Sequence, residues 1–171
     1  MTDIHAQLRK ADRLATITQR VGFALWQLQE LESATAQYYV LAALATKGMG
    51  FEAGSRLDET AQGKTFGTTI HALRKAGKMP EALESRFLKL LGERNWLVHS
   101  SRSTSRTAVH SDADCESLLC RLEKIAEEAR LLLKEVGSAA ERFAISNGVL
   151  QQEIDRLTQE VLASWHDGNM A

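Results

Sequence analysis

The stretch SLLCRLEKIAEEARLLLKEV, residues 117–136, decides the fold class. Its apolar residues recur at intervals of four and three, which is typical of one buried face of a helix in a bundle or coiled coil. These residues are Leu118, Leu122, Ile125, Ala129, Leu132 and Val136. No segment of the chain has the strict alternation of a half-buried strand. The sequence therefore predicts an all-α protein.

Helical spacing continues on both sides of this stretch. A polar helix from about Asp3 is predicted to lead into a long second helix that ends near Ala45. Ser111 with Asp114 begins the helix that contains residues 117–136, and a break near Asn147 and Gly148 precedes a last helix. The last helix has a similar apolar seam, a row of apolar residues at intervals of four and three, formed by Leu150, Ile154, Leu157 and Val161.

The middle of the chain contains two predicted loops and two predicted helices. Four glycines indicate the first loop: Gly48, Gly50, Gly54 and Gly63. A short helix follows from about Thr65 to Ala76, and Pro80 with Glu81 favours the start of another. The Ser- and Thr-rich run at 100–107 predicts a second, solvated loop.

These elements predict one domain over residues 1–171, a length that suits a single compact unit. We expect a helical bundle of about five to six helices, with its core over about 18–136. An additional C-terminal helix is expected to form an extension over about 138–167.

Composition limits the function classes. The formal charge of −1 excludes a strongly basic surface, so contact with nucleic acid would need a local basic patch. Cys115 and Cys120 are expected on different sides of one helix, which disfavours a disulfide between them. The longest apolar run, residues 38–45, is too short to span a bilayer, and no secretory leader is recognised. We expect a cytoplasmic protein without a membrane partner.

The hexapeptide RNWLVH, residues 94–99, carries the strongest functional signal. It places a permanent cation and a titratable imidazole on one helical segment, as phosphodiester cleavage requires. Projection on a helix puts Arg94 in the middle of an apolar face, where an unpaired cation is costly. Arg94 is therefore expected to meet a carboxylate, to line a polar cavity or to lie at an interface. Glu32 falls in the apolar stripe of the second helix, so a buried Glu32–Arg94 ion pair is the structural alternative. Asn95 and His99 are expected together on the solvent-facing flank.

The order of residues in the hexapeptide resembles the signature of HEPN-domain ribonucleases. That signature is an arginine, a polar residue, three further residues and a histidine, late in a helix of an all-α bundle. Arg94, Asn95 and His99 fit this signature. The resemblance covers only the hexapeptide in specific residues, although the bundle organisation from about Arg20 to Val136 agrees with it. Some members of the family have tyrosine two positions after the histidine, and Ser101 occupies that position here.

The resemblance implies a homodimer that cuts RNA in a composite cleft without metal or cofactor, acting as a toxin or phage-defence effector. A cognate antitoxin or another defence protein is then an expected partner. The 2′-hydroxyl of RNA supplies the nucleophile, His99 moves a proton, Arg94 binds the phosphate and Asn95 orients substrate or His99. DNA lacks this hydroxyl and should remain uncut.

Two further features are candidates for RNA contact, each with a structural alternative. Arg102 and Arg106, with His110, are predicted to bind flanking phosphates, and a plain solvated loop is the alternative. Trp96 is predicted either to stack on a base or to fill the dimer seam.

Other classes of site find less support in the sequence. Gly63, Lys64 and Thr65 resemble the end of a phosphate-binding loop, but Asp58 stands where the earlier glycine is required. The histidines outside the hexapeptide have no partners at metal-ligand spacing, so no metal site is predicted. Two non-nuclease alternatives remain: a helical interaction module in which Glu32 and Arg94 are structural, and a sensor of a nucleotide or another ligand.

Overall fold

The computed structural model describes residues 4–166, with His166 described by its backbone alone. The described residues form seven α-helices and no strand, which confirms the predicted all-α helical bundle. The helices are α1 (Ile4–Tyr39), α2 (Phe51–Gln62), α3 (Phe66–Lys75), α4 (Glu81–His99), α5 (Ser101–Ala108), α6 (Asp112–Ser146) and α7 (Gln151–His166). No helix within 4–166 is both long and apolar enough to cross a membrane.

The two longest helices, α1 and α6, form the centre of the bundle and run parallel. At one end, Arg13 Nε of α1 donates to Asp112 Oδ1 at the start of α6, 2.8 Å away. At the other end, Tyr38 of α1 and Ala139 of α6 line the same small cavity. The parallel course needs a long connection, and α2 to α5 lie within it.

The hydrophobic core lies between α1, α3, α4 and α6. The seam of residues 117–136 is buried as predicted, and Leu132 and Ala129 have no exposed surface. The other helices contribute Ile17, Ala24, Leu28, Leu31, Phe66, Ile70, Phe87, Leu90 and Leu97 to the same core. This core fixes the faces of α1 and α4, and hence the positions of Glu32 and Arg94.

Helix starts and stops follow local chemistry at the positions that the sequence indicated. The hydroxyls of Thr65 and Ser111 accept hydrogen bonds from Thr68 N and Asp114 N, each at 3.3 Å, and so begin α3 and α6. Gly77, with φ of 65°, ends α3 because this left-handed backbone strongly favours glycine.

The predicted division of the N-terminal region into two helices is wrong, because α1 is continuous from Ile4 to Tyr39. Ile17 and Ala24 of this single helix are buried in one core. A π-helical turn, Val40–Leu44, then ends the helix near the predicted position. The expected start at Asp3 lies outside the described residues.

The glycine-rich loop predicted between Gly48 and Gly63 contains α2. Leu57 and Ala61 of α2 pack against Ala36 and Val40, so tertiary burial stabilises a helix that the glycines disfavour.

The solvated loop predicted at 100–107 is also a helix, α5. Its hydroxyls donate back to carbonyls one turn earlier, as Ser105 Oγ does to Ser101 O at 2.8 Å. Ser101 and Ala108 are buried, which fixes α5 against the bundle.

The C-terminal region departs from its predicted boundaries. Helix α6 is continuous across residues 136–138, where the core and the extension were expected to separate. Helix α7 begins after Gly148, and its apolar seam is exposed: Leu150 is 71% exposed and Leu157 48%. This predicted seam therefore has no covering helix within residues 4–166. The expected end of the extension, residue 167, lies outside the described residues.

Candidate functional site

Helix α4 presents the hexapeptide RNWLVH at its C-terminal end. Pro80 precedes the helix, and Glu81 and Glu84 lie in its first turn, where carboxylates are favoured by the helix dipole. Phe87, Leu90 and Leu97 bury one face of α4. The burial of this face sets the direction of every side chain in the hexapeptide, and His99 is in the last turn.

Arg94 and Glu32 form the predicted ion pair between α4 and α1. Arg94 Nε donates to Glu32 Oε1 at 2.9 Å. The expectation of a buried pair needs correction, because the two side chains keep 29% and 24% of their surface exposed. Within residues 4–166, this is the only hydrogen bond of the guanidinium. Its two terminal amino groups therefore remain available to a ligand.

Asn95 and His99 are exposed one turn apart on α4, as predicted. Neither side chain has a hydrogen-bond partner in the part of the chain that the structure describes. Leu88 and Val98 are exposed on the same flank, each at 47%. An exposed apolar surface therefore flanks the two polar groups of the hexapeptide.

Trp96 lies on another side of α4 and packs within its own chain. It is partly buried against the core, and the guanidinium carbon of Arg121 lies 3.4 Å from its ring centroid. Arg121 Nε also donates to Glu93 Oε2 at 2.8 Å. These contacts give Trp96 a structural place in the monomer that neither predicted role included.

Arg102 and Arg106 are exposed on α5 and line one groove, as does His110 just beyond it. The groove has a volume of about 610 Å³, and its other wall is the first part of α1, including Lys10. Sequence reasoning missed Lys10 because nothing local connects it with α5. Arg94, Asn95 and His99 do not line this groove.

A second groove lies between α4 and α6, and two ion pairs join the two helices there. Arg86 Nε donates to Glu128 Oε1 at 2.7 Å, and this contact raises the pKa of Arg86. Glu93 and Arg121 form another pair in the same groove. The exposed thiol of Cys120 lies there too, whereas Cys115 is buried. We interpret these pairs as contacts that hold α4 against α6.

The residues that resembled a phosphate-binding loop have structural roles. Thr65 caps α3, and Lys64 Nζ lies 5.1 Å from the ring centroid of Tyr39. No three His, Cys, Asp or Glu side chains within the described range lie close enough together to hold a metal ion.

The fold and the site define an all-α bundle with a half-buried arginine–glutamate pair beside an exposed asparagine and histidine. Comparison of the chain with protein-family models, with curated proteins and with solved structures finds no match.

The Glu32–Arg94 pair is expected to couple α1 and α4 energetically. In a double-mutant cycle of Glu32→Gln and Arg94→Gln, we expect a coupling free energy of about 1 kcal/mol in urea unfolding, because both groups are partly shielded from water. The exposed Glu52–Arg56 pair of α2, measured in the same way, should couple more weakly. Equal coupling in the two cycles would contradict this expectation.

Proposed function

We propose that this protein is a metal-independent endoribonuclease of HEPN type that acts as a homodimer in the cytoplasm, as a toxin or phage-defence effector. The observation that carries the proposal is that the polar side chains of the hexapeptide have hydrogen-bonding groups without a partner in the described chain. Glu32 engages Arg94 through Nε alone, while the rest of the guanidinium has no partner in the described chain. Asn95 and His99 are exposed on the same helix.

The proposed reaction needs little beyond these groups. The 2′-hydroxyl oxygen of RNA attacks the adjacent phosphorus, forming the P–O2′ bond while the P–O5′ bond breaks. One His99 takes the proton of the 2′-hydroxyl, and the His99 of the second protomer donates a proton to O5′. The products are a 2′,3′-cyclic phosphate and a 5′-hydroxyl.

Arg94 is the proposed electrostatic catalyst. A planar guanidinium can donate two parallel hydrogen bonds to phosphate oxygens, and its terminal amino groups suit that role here. Glu32 would keep the arginine in one orientation before substrate arrives, so that less side-chain entropy is lost on binding. Asn95 would orient the substrate or His99, and Arg102 and Arg106 would bind flanking phosphates.

The exposed apolar residues beside the motif support the proposed homodimer. Leu88 and Val98 lie on the same flank of α4 as Asn95 and His99. A two-fold interface built on this flank would bury both apolar side chains and bring the two motifs toward each other.

Leu88→Asp is expected to weaken the homodimer by about tenfold or more, because it would bury an unpaired carboxylate at the interface. RNA cleavage should fall with dimer population, measured by sedimentation and by cleavage of the same samples. Leu131→Asp on α6, also at an exposed leucine, is the matched control. Full cleavage by a monomeric Leu88→Asp protein would contradict the composite cleft.

The test of the proposed activity is cleavage of a single-stranded RNA by the purified protein in excess EDTA, beside a DNA of the same sequence. Cleavage of the RNA alone is expected, together with growth arrest when the protein is produced in a bacterial host. Intact RNA at every protein concentration would overturn the proposal.

The second candidate is a non-catalytic interaction module, favoured by the exposed seam of α7. Leu150, Leu157 and Trp165 are exposed, with Trp165 at 64%, so that α7 offers an apolar face to a protein partner. In this function Glu32 and Arg94 only hold α1 against α4. Removal of residues 149–171 separates the candidates, because it should leave RNA cleavage intact and abolish a partner contact made through α7.

A further inference from the structure

The groove between α1 and α5 is lined by basic and uncharged side chains. Eight residues line it, and none of them is acidic. Lys10, Arg102, Arg106 and His110 supply basic groups from both walls. The chain as a whole has a formal charge of −1, so this groove is the kind of local basic patch that binding to nucleic acid requires.

The arginines of the groove are not used in ion pairs. Most arginines of the described chain form an ion pair with a carboxylate, namely Arg13, Arg56, Arg74, Arg86, Arg94, Arg121, Arg130 and Arg156. Arg102 and Arg106 are exposed and have no such partner within residues 4–166. Helix α5 contains no carboxylate. Both guanidinium groups are therefore available to an external anion.

Apolar residues line the groove beside the basic ones. They are Ala11, Leu14 and Val109, and Leu14 is 53% exposed. A single nucleic-acid strand presents phosphates and unpaired base faces together, which fits a groove lined by both basic and apolar side chains. A duplex presents mainly its phosphates, because its bases are stacked inside, so it would leave the apolar side chains uncovered.

The groove begins close to the proposed catalytic histidine. Arg102 follows His99 by three residues, so their Cα atoms can be at most about 11 Å apart. Helix α5 starts directly after the end of α4. A strand held for cleavage at His99 can therefore enter the groove within a few nucleotides.

We propose that this groove binds the single-stranded RNA that flanks the cleaved bond, with Lys10, Arg102, Arg106 and His110 on its phosphates and Leu14 against its bases. The proposal rests on the proposed function and adds to it a path for the substrate, formed by the N-terminal part of α1 together with α5. It also assigns Lys10 to RNA binding.

The test measures binding without cleavage. A fluorescent single-stranded 2′-O-methyl RNA has the charge of RNA but no free 2′-hydroxyl, and its affinity for the full chain is measured by fluorescence anisotropy at several salt concentrations. Arg102→Gln/Arg106→Gln is expected to weaken binding by roughly tenfold and to lower the salt slope by about 1.4, since each lost contact removes about 0.7. Lys10→Gln should also weaken binding, and it should lower the salt slope by about 0.7, half of the change expected for the double variant.

A matched control removes equal charge elsewhere. Lys134 and Arg142 are exposed on α6, outside the groove, so Lys134→Gln/Arg142→Gln should change the affinity less than about twofold. Circular dichroism checks folding, and Lys10→Gln alone decides the test if the double groove variant fails to fold. Equal losses in groove and control variants would overturn the proposal, as would unchanged binding in both.

Other outcomes distinguish this proposal from the nuclease proposal. If wild type binds the 2′-O-methyl RNA through the groove but never cleaves RNA, the nuclease proposal fails and the groove stands. If wild type cleaves RNA and the groove variants bind and cleave equally well, the groove proposal fails alone. If RNA is neither bound nor cut, both fail. Tighter groove-dependent binding to duplex RNA, or to phosphatidylserine vesicles, would also overturn the assignment to a single strand.

Discussion

Replacing His99 by alanine is expected to lower the rate of RNA cleavage by about 10² to 10⁴-fold, the usual contribution of a general acid or base. In the proposed homodimer both proton-transfer groups come from this residue, so one substitution removes the base and the acid together. His99 is exposed at the end of α4 and has no hydrogen-bond partner within residues 4–166. The folded state should therefore be almost unaffected.

His71→Ala is the matched control for this prediction. His71 is also exposed, on α3, and has no proposed role. Cleavage rates of both variants are measured beside wild type, with circular dichroism and thermal unfolding as checks of folding. A folded His99→Ala protein that cleaves RNA as fast as His71→Ala does would remove His99 from the mechanism. Arg94 is a poorer probe, because its substitution also breaks the contact with Glu32.

The second large effect is expected from Phe87→Ala, which should lower the free energy of unfolding by about 3–5 kcal/mol. Phe87 is 1% exposed on α4, and its ring centroid lies 6.0 Å from that of Phe66 on α3. Truncation removes this contact and leaves a cavity at the point where α4 packs on the bundle. Urea unfolding followed by circular dichroism measures the change.

Phe51→Ala provides the comparison, because Phe51 is 91% exposed at the start of α2. We expect it to change the free energy of unfolding by less than about 0.5 kcal/mol. If Phe87→Ala changes the free energy of unfolding as little as Phe51→Ala does, Phe87 does not form part of a packed core. The placement of α4 would then be wrong.

Helix periodicity and capping are sufficient to predict α3, α4, α6 and α7, and the pair of charges between α4 and the N-terminal helical region, but not the continuity of α1. The seam around Leu122 and the starts of α3 and α6 depend on local spacing and capping, which a single sequence contains. Glu32 and Arg94 were found because each interrupts an apolar face with a charge of opposite sign, and their pairing follows from the cost of burying either charge alone.

The incorrectly predicted segments depend on contacts between residues far apart in sequence. The Ser- and Thr-rich composition of residues 100–107 indicates a loop, but burial of Ser101 and Ala108 stabilises a helix there. Helix α2 is stabilised in the same way through Ala61. The groove could not be predicted in full either, because Lys10 meets α5 only through the packing of α1 on the bundle.

The most direct test of the proposed chemistry is cleavage of an RNA that lacks one 2′-hydroxyl. The position cut by wild type is first mapped on a short RNA, and the same RNA is then made with 2′-deoxyribose only at the nucleotide that precedes the cleaved bond. In excess EDTA, we predict loss of cleavage at that position and a 2′,3′-cyclic phosphate on the product of the unmodified RNA. Continued cleavage of the modified RNA at that bond, leaving a 3′-hydroxyl, would contradict the mechanism.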